Sequence, residues 1–387
     1  MTYKHLFSRA LAADPTRLHF AAHSHHLWPD ASYDGQIEAW NDAVRLADLK
    51  WDKVMGSAWA EAQQHVADEL HLPDHTTIAF SANTHDFLIR IVSALPMCPI
   101  RVLATDGEFH SFRRQMARWI ESGDIILQSV AARPFDTLPD RFIAAARGGG
   151  ADLIFASNIL FNSGAALGGL EELAALARPE GPWVVIDGYH SFMAVSTDLS
   201  TVADRIFYMS GGYKYAMAGE GLGFLHAPPG FAPRPAITGW FAEFDDLKAA
   251  PGAVAYSADA RRFLGATFDS GGLYRFNAVR RMLVREGLTT PKICEHVMPL
   301  QHHFIRGATM PAFATMTLLN PPGNGENARF LAYQGKQAQA LYAALIERNV
   351  ITDVRGDVLR IGFALYHDAE DVDRLLAIIS NLDLASV

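Results

Sequence analysis

Two stretches decide the fold of this chain: WVVIDGYH at 183–190 and MSGGYKYAMAGEGLGF at 209–224. The first has the pattern of a buried strand that ends at Asp187, and the second that of a strand followed by a glycine-rich turn carrying Lys214. Open α/β sheets bind ligands beyond the carboxyl ends of their strands, so both side chains are expected at one sheet edge. The sequence therefore predicts a ligand site built on an acid and a lysine.

Short apolar runs alternate with helical segments both before and after these two stretches. Strands are predicted at 76–80, 101–105, 124–130, 151–157, 183–187, 204–210 and 221–227. Apolar residues recur at helical spacing at 112–122 and 170–177, and in two amphipathic segments before the core, at 33–49 and 58–70. This order predicts an α/β fold with a large, mostly parallel seven-stranded sheet covered by helices.

After about Asn277 the pattern changes to helix, strand, helix, which is typical of a small α+β unit. We predict a large ligand-binding domain over 20–275 and a smaller C-terminal α+β domain formed by 1–19 and 276–387. A segment rich in Ala, Pro and Gly at 240–260 is expected to be a loop.

Composition narrows the possible partners. A formal net charge of -9 offers no basic surface for nucleic acid. No apolar run reaches the roughly 18 residues of a membrane helix, and the first residues lack the pattern of a secretory signal. The two cysteines cannot form a disulfide framework and suit a reducing compartment. We therefore expect a cytoplasmic protein that binds a small molecule, with no nucleic-acid or membrane partner.

Asp187 and Lys214 are the residue types that pyridoxal 5'-phosphate (PLP) requires. The cofactor stabilises a carbanion beside an amino nitrogen only while its pyridine ring is protonated, and a buried carboxylate holds that proton. Burial lowers a lysine pKa, so Lys214 can attack an aldehyde as a neutral amine and later carry a substrate proton. His190 is a candidate ligand of the ring's phenolic oxygen. The sequence thus predicts PLP held as a Schiff base on Lys214.

Further strand ends supply candidate cofactor ligands. Asn83 and Thr84 begin a helix whose free N–H groups and dipole suit a phosphate, although Thr84 could be a plain helix cap. Phe109 or His110 follows another strand and could stack on the pyridine ring, the alternative being that Phe109 is core. Asn158 follows a third strand and could bind the ring oxygen. The neighbouring Glu108 is interpreted as a solvated or capping residue.

With these residues assembled, the chain resembles the class V aminotransferase group of fold type I PLP-dependent enzymes, and within it kynureninase. The resemblance covers almost the whole chain. It rests on an Asp, two residues and a His, then Tyr-Lys-Tyr and a glycine-rich turn, matched here by Asp187, His190, Tyr213, Lys214 and Tyr215. It implies the fold type I transferase architecture and a homodimer with shared active sites.

The resemblance also implies residues that spacing alone does not find. It assigns cofactor contacts to Trp240 and, reaching across from a partner subunit, to Thr267. Arg360 matches the arginine that binds the substrate carboxylate, a contact that would fix the α-carbon over the cofactor. The loop carrying His25 and His26 corresponds to the substrate entrance.

Two features depart from the family. Phe112 stands where kynureninases usually carry an Asp, and the cluster of His23, His25 and His26 replaces a small polar loop. The cluster raises the alternative of a metal site. We predict no metal, because no acidic or cysteine partner with ligand spacing lies nearby.

The leading functional hypothesis is kynureninase-like hydrolytic cleavage of a Cβ–Cγ bond in an amino acid. Lys214 would take the α-proton, Asp187 would maintain the electron sink, and Tyr213 would act as an acid or phosphate ligand. The first alternative is a class V aminotransferase that passes an amino group to a keto acid. The second is a non-catalytic PLP-binding sensor or assembly protein. A cysteine desulfurase is disfavoured, because neither cysteine falls in the loop before Arg360.

Overall fold

The computed structural model describes residues 2–246, 252–323 and 327–382. Its strands are β1 (Leu18–His19), β2 (Ile78–Ser81), β3 (Ile100–Thr105), β4 (Ile125–Val130), β5 (Leu153–Ser157), β6 (Trp183–Asp187), β7 (Ile206–Gly211), β8 (Gly223–His226), β9 (Thr317–Leu318), β10 (Phe330–Gln334), β11 (Val350–Ile351), β12 (Asp353–Arg355) and β13 (Val358–Gly362). Its α-helices are α1 (Ser8–Ala13), α2 (Asp30–Leu46), α3 (Lys50–Lys53), α4 (Trp59–Leu70), α5 (Thr84–Ser93), α6 (His110–Glu121), α7 (Leu138–Arg147), α8 (Leu170–Ala174), α9 (Gly271–Arg285), α10 (Thr290–Gly307), α11 (Pro311–Ala314), α12 (Ala338–Glu347) and α13 (Ala369–Ser380).

The large sheet has seven strands in the order β2-β8-β7-β6-β5-β3-β4. Strands β3 to β7 pair in parallel, whereas β8 is antiparallel to both of its neighbours. Strands β5 and β7 are buried along their whole length, as expected of a sheet covered on both faces. The prediction of a mostly parallel seven-stranded sheet is confirmed, and each of the seven predicted strands overlaps an observed one.

The strand register brings the candidate site together. Ser157, the last residue of β5, pairs with Asp187, the last residue of β6, and Asp187 pairs with Met209 of β7. Because these strands are parallel, their carboxyl ends meet at one edge, and the turn carrying Lys214 follows β7 at that edge.

Helices α2 and α4, which overlap the two predicted amphipathic segments, both pack on α9. At Gly35 the backbones of α2 and α9 approach so closely that a Cβ would lie 2.5 Å from the carbonyl oxygen of Tyr274. Glycine is therefore required at this crossing, since any larger side chain would separate the helices. No helix in the described part of the chain is long and apolar enough to span a bilayer.

The C-terminal part forms a four-stranded antiparallel sheet in the order β12-β13-β10-β9, against which α12 packs. The N-terminal strand β1 pairs in parallel with β11 of this part before the chain enters α2. The predicted boundary between 275 and 276 falls inside α9, so the division into domains stays a prediction. Of the predicted loop at 240–260, residues 247–251 lie outside the described residues, as do both predicted chain ends at residue 1 and at 383–387.

Candidate active site

Lys214 lies in the turn after β7 and is only 5% exposed. Its Nζ is 2.6 Å from His190 Nε2, 4.6 Å from the ring centroid of Tyr189 and 5.6 Å from that of Phe109. Burial lowers the pKa of Lys214 to about 7, although the charge of Asp187 acts in the opposite direction. A substantial fraction of this amine is therefore neutral at neutral pH.

Asp187 ends β6 directly beside this lysine. Its Oδ1 accepts a hydrogen bond of 2.9 Å from the backbone N–H of Tyr189. Burial raises the pKa of the carboxyl group, while that hydrogen bond and the charge of Lys214 lower it. A cationic ring nitrogen at this point would favour the ionised carboxylate, because opposite charges interact strongly in a poorly solvated site.

A cavity of about 1290 Å³ opens over these residues. Its lining includes seven of the residues predicted from the sequence: Asn83, Thr84, Phe109, Asp187, His190, Tyr213 and Lys214. The structure therefore brings together the predicted lysine, acid, stacking ring and phosphate-binding helix start in a single chamber.

The helix start at this chamber is α5. Its N-cap is Asn83, whose side chain accepts a hydrogen bond of 3.0 Å from the N–H of Asp86, so Asn83 rather than Thr84 caps the helix. Thr84 and His85, the first two residues of the helix, line the cavity. The positive end of a ten-residue helix thus faces the space where an anionic group would lie.

Arg360 is placed behind the cavity wall. It is 2% exposed, its Nη1 donates to the carbonyl oxygen of Phe161 at 2.5 Å, and its Nη2 pairs with Asp353. Asp353 also pairs with Arg355 at 2.7 Å. Phe161 lines the cavity, so a substrate carboxylate would have to reach Arg360 past this residue. The assignment of Arg360 to the substrate stays a prediction.

The two histidines predicted at the substrate entrance have different surroundings. His25 is exposed and stacks on Tyr213, with ring centroids 4.9 Å apart. His26 is buried between Phe7 and Tyr366, and burial lowers its pKa to about 3. The ring of His25 therefore lies on a residue of the cavity lining, whereas the ring of His26 is packed in the core and only its backbone N–H reaches the lining, donating to the carbonyl oxygen of Tyr213 at 2.9 Å.

His23, the third member of the histidine cluster, is fully buried and stacks on Phe330. Its Nε2 lies 3.9 Å from Asp353. Among residues 2–246, 252–323 and 327–382, no group of three or more His, Cys, Asp or Glu side chains is arranged to hold a metal ion.

Three predicted cofactor ligands do not line the cavity. Asn158 donates its backbone N–H to the carbonyl oxygen of Asp187 at 2.9 Å and so braces the neighbouring strand end. Trp240 is 46% exposed and its ring contacts Phe241. Thr267 is exposed at the surface, as a residue that reaches into a partner subunit would be. All three assignments stay predictions.

Glu108 was missed by the sequence interpretation, which took it as solvated or capping. It is fully buried, and its carboxylate accepts hydrogen bonds from the Thr105 hydroxyl at 2.6 Å and from the N–H and hydroxyl of Ser157 at 3.0 and 2.5 Å. Burial raises its pKa to about 7, and the nearby Asp187 acts in the same direction. Its position between a strand end and Phe109 was the available signal.

Tyr189, which lies between Asp187 and His190, is a second residue of the site that the sequence does not predict. Its side chain lines the cavity and is hydrogen-bonded to Tyr213. Its ring occupies the place of a side chain at Gly211, where a Cβ would lie 2.1 Å from the Tyr189 hydroxyl. Tyr189 and Phe109 therefore both approach Lys214 Nζ with an aromatic ring.

These residues fit a PLP molecule. Lys214 offers an amine, Asp187 a carboxylate, Phe109 an aromatic ring and α5 an anion-binding terminus, all within one cavity. His190 Nδ1 is a buried polar atom with no hydrogen-bond partner among the described residues, as expected if a bound group supplies one.

Comparison with known proteins agrees with this geometry. Residues 294–379 match the family model of the kynureninase C-terminal domain. The chain is 26% identical over 326 residues to isopenicillin N epimerase of Streptomyces clavuligerus, covering 78% of this chain and 79% of that protein. It is 24% identical over 357 residues to kynureninase of Deinococcus radiodurans, covering 86% of this chain and 83% of that protein.

Solved structures share the architecture. A variant of C-DES with glycine covalently linked to its PLP cofactor superposes with a TM-score of 0.77 at 17% identity, covering 99% of this chain and all of that one. The cysteine desulfurase of Thermococcus onnurineus NA1 gives a TM-score of 0.76 at 17% identity, covering the whole of both chains.

The fold is that of fold type I PLP-dependent enzymes, which confirms the predicted architecture, and the similarity to kynureninase and to a PLP-carrying structure agrees with the predicted enzyme class and cofactor. Within that class the chain is kynureninase-like and similar to the class V group, as the sequence predicted.

Proposed function

We propose that this enzyme hydrolyses the Cβ–Cγ bond of a kynurenine-like amino acid. The observation that carries the proposal is the match of residues 294–379 to the kynureninase C-terminal domain, a segment that includes Arg360. In the structure this segment packs next to the cavity that holds Lys214, because Arg360 donates to the backbone of the cavity-lining Phe161. The large cavity has room for an aromatic amino acid beside the cofactor.

Bound PLP would supply an aldehyde for amines and a protonated pyridine ring that accepts electrons from the substrate α-carbon. Lys214 would hold the aldehyde, Asp187 would hold the proton of the ring nitrogen, and Phe109 would cover one face of the ring. The first turn of α5, capped by Asn83, would bind the phosphate.

Lys214 would then move the proton of the α-carbon. Its pKa of about 7 suits both acceptance and return of a proton near neutral pH. His190 Nε2, 2.6 Å from Lys214 Nζ, would accept a hydrogen bond from the amine and so hold it in position. Burial lowers the pKa of His190 well below its ordinary value, so this imidazole is neutral.

Tyr213 would supply the acid. Burial raises its pKa, so its hydroxyl stays protonated at neutral pH. It would donate a proton to Cβ as water adds to the γ-carbonyl and the Cβ–Cγ bond breaks, with the γ-carbonyl group leaving as a carboxylic acid. The hydrogen bond to Tyr189 fixes the orientation of this hydroxyl. Arg360 would orient the substrate by binding the substrate's carboxylate. That carboxylate would either displace Asp353 from the guanidinium group or bind beside it.

A desulfurase reaction has no support in the site. Cys98 is exposed, Cys294 is buried in α10 with its Sγ 3.0 Å from the carbonyl oxygen of Ala194, and neither lines the cavity. A thiolate that accepts sulfur must be accessible at the reacting centre.

The test is product analysis with kynurenine and the PLP-loaded enzyme. Hydrolysis releases alanine and an aromatic amine, and Tyr213→Phe is expected to lower that release while retaining exchange of the α-proton in deuterated water. Tyr33→Phe on α2 is the matched control, because it removes a tyrosine hydroxyl at an exposed position outside the cavity and should leave both activities unchanged. An amino group passed reversibly to pyruvate, with no alanine released from kynurenine alone, would instead support the aminotransferase reaction.

A further inference from the structure

Two buried side chains next to each other carry polar atoms without partners. His23 is fully buried, and neither of its ring nitrogens has a hydrogen-bond partner among the described residues. The Nε of Arg360, which is 2% exposed, also has none within that part of the chain. Buried polar groups are almost always hydrogen-bonded, so unpaired atoms on both side chains require an explanation.

The small antiparallel sheet places His23 beside Arg360. Arg360 and Gly362 lie on one face of β13, because side chains alternate along a strand. Arg360 pairs in register with Asp353 of β12, and Gly362 pairs with Phe330 of β10. The His23 ring stacks on Phe330 with centroids 4.7 Å apart, and a Cβ on Gly362 would lie 2.2 Å from its Nδ1. Glycine at 362 therefore leaves the space that this imidazole fills.

Asp353 lies between the histidine and the arginine. Its Oδ2 pairs with Nη2 of Arg360 and is 3.9 Å from Nε2 of His23, while its Oδ1 is held by Arg355 at 2.7 Å. A separation of 3.9 Å is too long for a hydrogen bond. A shift of Oδ2 by about 1 Å would reach the roughly 2.9 Å of an ordinary N–H···O bond.

His23 is uncharged in these surroundings. Burial lowers its pKa well below the ordinary value, and the charges of Arg360 and Lys214 act in the same direction, as do the weaker contributions of His19 and Arg355. A neutral imidazole still carries one N–H donor. The ring can therefore donate from Nε2 to a carboxylate without taking up a proton.

A carboxylate is held best by a guanidinium group that offers it two parallel hydrogen bonds. Nη1 of Arg360 is bound to the carbonyl oxygen of Phe161, so Nε and Nη2 form the edge that offers two donors, and Asp353 occupies Nη2. A substrate carboxylate at this edge releases Oδ2 of Asp353. A buried carboxylate oxygen that loses its donor weakens binding unless another donor receives it.

We propose that His23 is the positioning residue that receives Asp353: when a substrate carboxylate takes the Nε and Nη2 edge of Arg360, Oδ2 of Asp353 turns to the Nε2–H of His23. The exchange gives a partner to Nε of Arg360 and to Nε2 of His23 at the same time. His23 thereby sets the affinity for the substrate carboxylate and not the chemistry at Lys214. The inference rests on the proposed contact between Arg360 and the substrate.

The experiment compares two amines as ligands of the PLP-loaded protein, L-alanine and ethylamine, which lacks the carboxylate. Titration of the cofactor absorbance gives both dissociation constants. His23→Phe keeps a ring that can stack on Phe330 but removes the donor. It is expected to weaken alanine binding on the order of tenfold and to leave ethylamine binding within about twofold of wild type, with PLP content unchanged.

Two amide variants form a matched pair. The side-chain nitrogen of His23→Gln can reach the place of Nε2, so this variant is expected to keep most of the affinity for alanine. The nitrogen of His23→Asn takes the place of Nδ1, over Gly362, and is expected to behave like His23→Phe. In an Asp353→Asn background, His23→Phe should have a smaller effect on alanine binding, because no carboxylate remains to be received.

Every amino acid carries the α-carboxylate, so the result does not depend on whether the enzyme cleaves kynurenine. If Arg360→Lys weakens alanine binding and His23→Phe does not, the role of His23 is overturned while that of Arg360 stands. Equal weakening of alanine and ethylamine by His23→Phe would also overturn it. If Arg360→Lys changes the affinity for neither amine, the contact between Arg360 and the substrate and the role of His23 both fall.

Discussion

Glu108 provides the sharpest test of the electrostatics around the site. From an ordinary value of 4.5, burial raises its pKa to about 7. Each pKa unit corresponds to roughly 1.4 kcal/mol, so keeping this carboxyl ionised costs the folded state about 3 kcal/mol. The folded-state pKa is the higher one, so the stability contributed by protonated Glu108 is complete below pH 4.5 and lost as pH rises through 7. Glu108→Gln removes this loss and keeps the shape of the side chain: its amide oxygen can accept from Ser157, and its NH2 group can donate to the Thr105 hydroxyl.

We therefore expect Glu108→Gln to raise the free energy of unfolding of the cofactor-free protein at pH 8 relative to wild type. This gain should exceed the effect of the same substitution at pH 4.5 by up to about 3 kcal/mol. Urea unfolding at both pH values measures the difference. Glu121→Gln at the end of α6 is the control, because that side chain is exposed and its replacement is expected to change the free energy of unfolding little. Equal effects of Glu108→Gln at pH 4.5 and pH 8 would refute the reasoning.

Three further predictions concern the site. Gly211→Ala should destabilise the protein by about 1–3 kcal/mol and disturb the absorbance of the cofactor, because the new Cβ would displace Tyr189. Gly56→Ala is the control, since no atom lies within 4 Å of a Cβ at that position. Equal shifts in melting temperature for the two variants would contradict this prediction. The rate at which the cofactor-free protein takes up PLP, measured by stopped-flow absorbance, should rise with pH and reach half its maximum near pH 7, because only the neutral amine of Lys214 reacts. A midpoint near pH 10 would show that the pKa of Lys214 is not lowered. Arg360→Lys should raise KM for the amino acid at least about tenfold, since lysine lacks the planar guanidinium group that holds a carboxylate with two hydrogen bonds. The PLP content of the protein should change little. An unchanged KM would show that Arg360 does not bind the substrate.

Most of the sheet was predictable because its strands are short β-branched runs bounded by turn residues. The reversed direction of β8 was not predicted, since the composition of GLGFLHA carries no information on strand direction. The connection at 212–222 did contain a signal: it holds the Lys214 turn and no crossover helix, and a parallel pair needs such a crossover.

The site was predicted where its residues lie close in sequence to strand ends, as Asp187, His190 and Lys214 do. Glu108 was missed because its burial depends on Ser157, which is distant in sequence and reaches it only through the pairing of the sheet. The involvement of Asp353 with Arg360 was missed for a similar reason, because it depends on the antiparallel pairing of β12 with β13. Such contacts follow from topology and cannot be read from local patterns.

The role of Lys214 as the residue that carries the cofactor can be examined by borohydride reduction of the PLP-loaded protein followed by peptide mapping. We expect a pyridoxyl group on the peptide that contains Lys214, and its loss in Lys214→Ala. A pyridoxyl group on another lysine, or none on a protein that retains PLP, would contradict it.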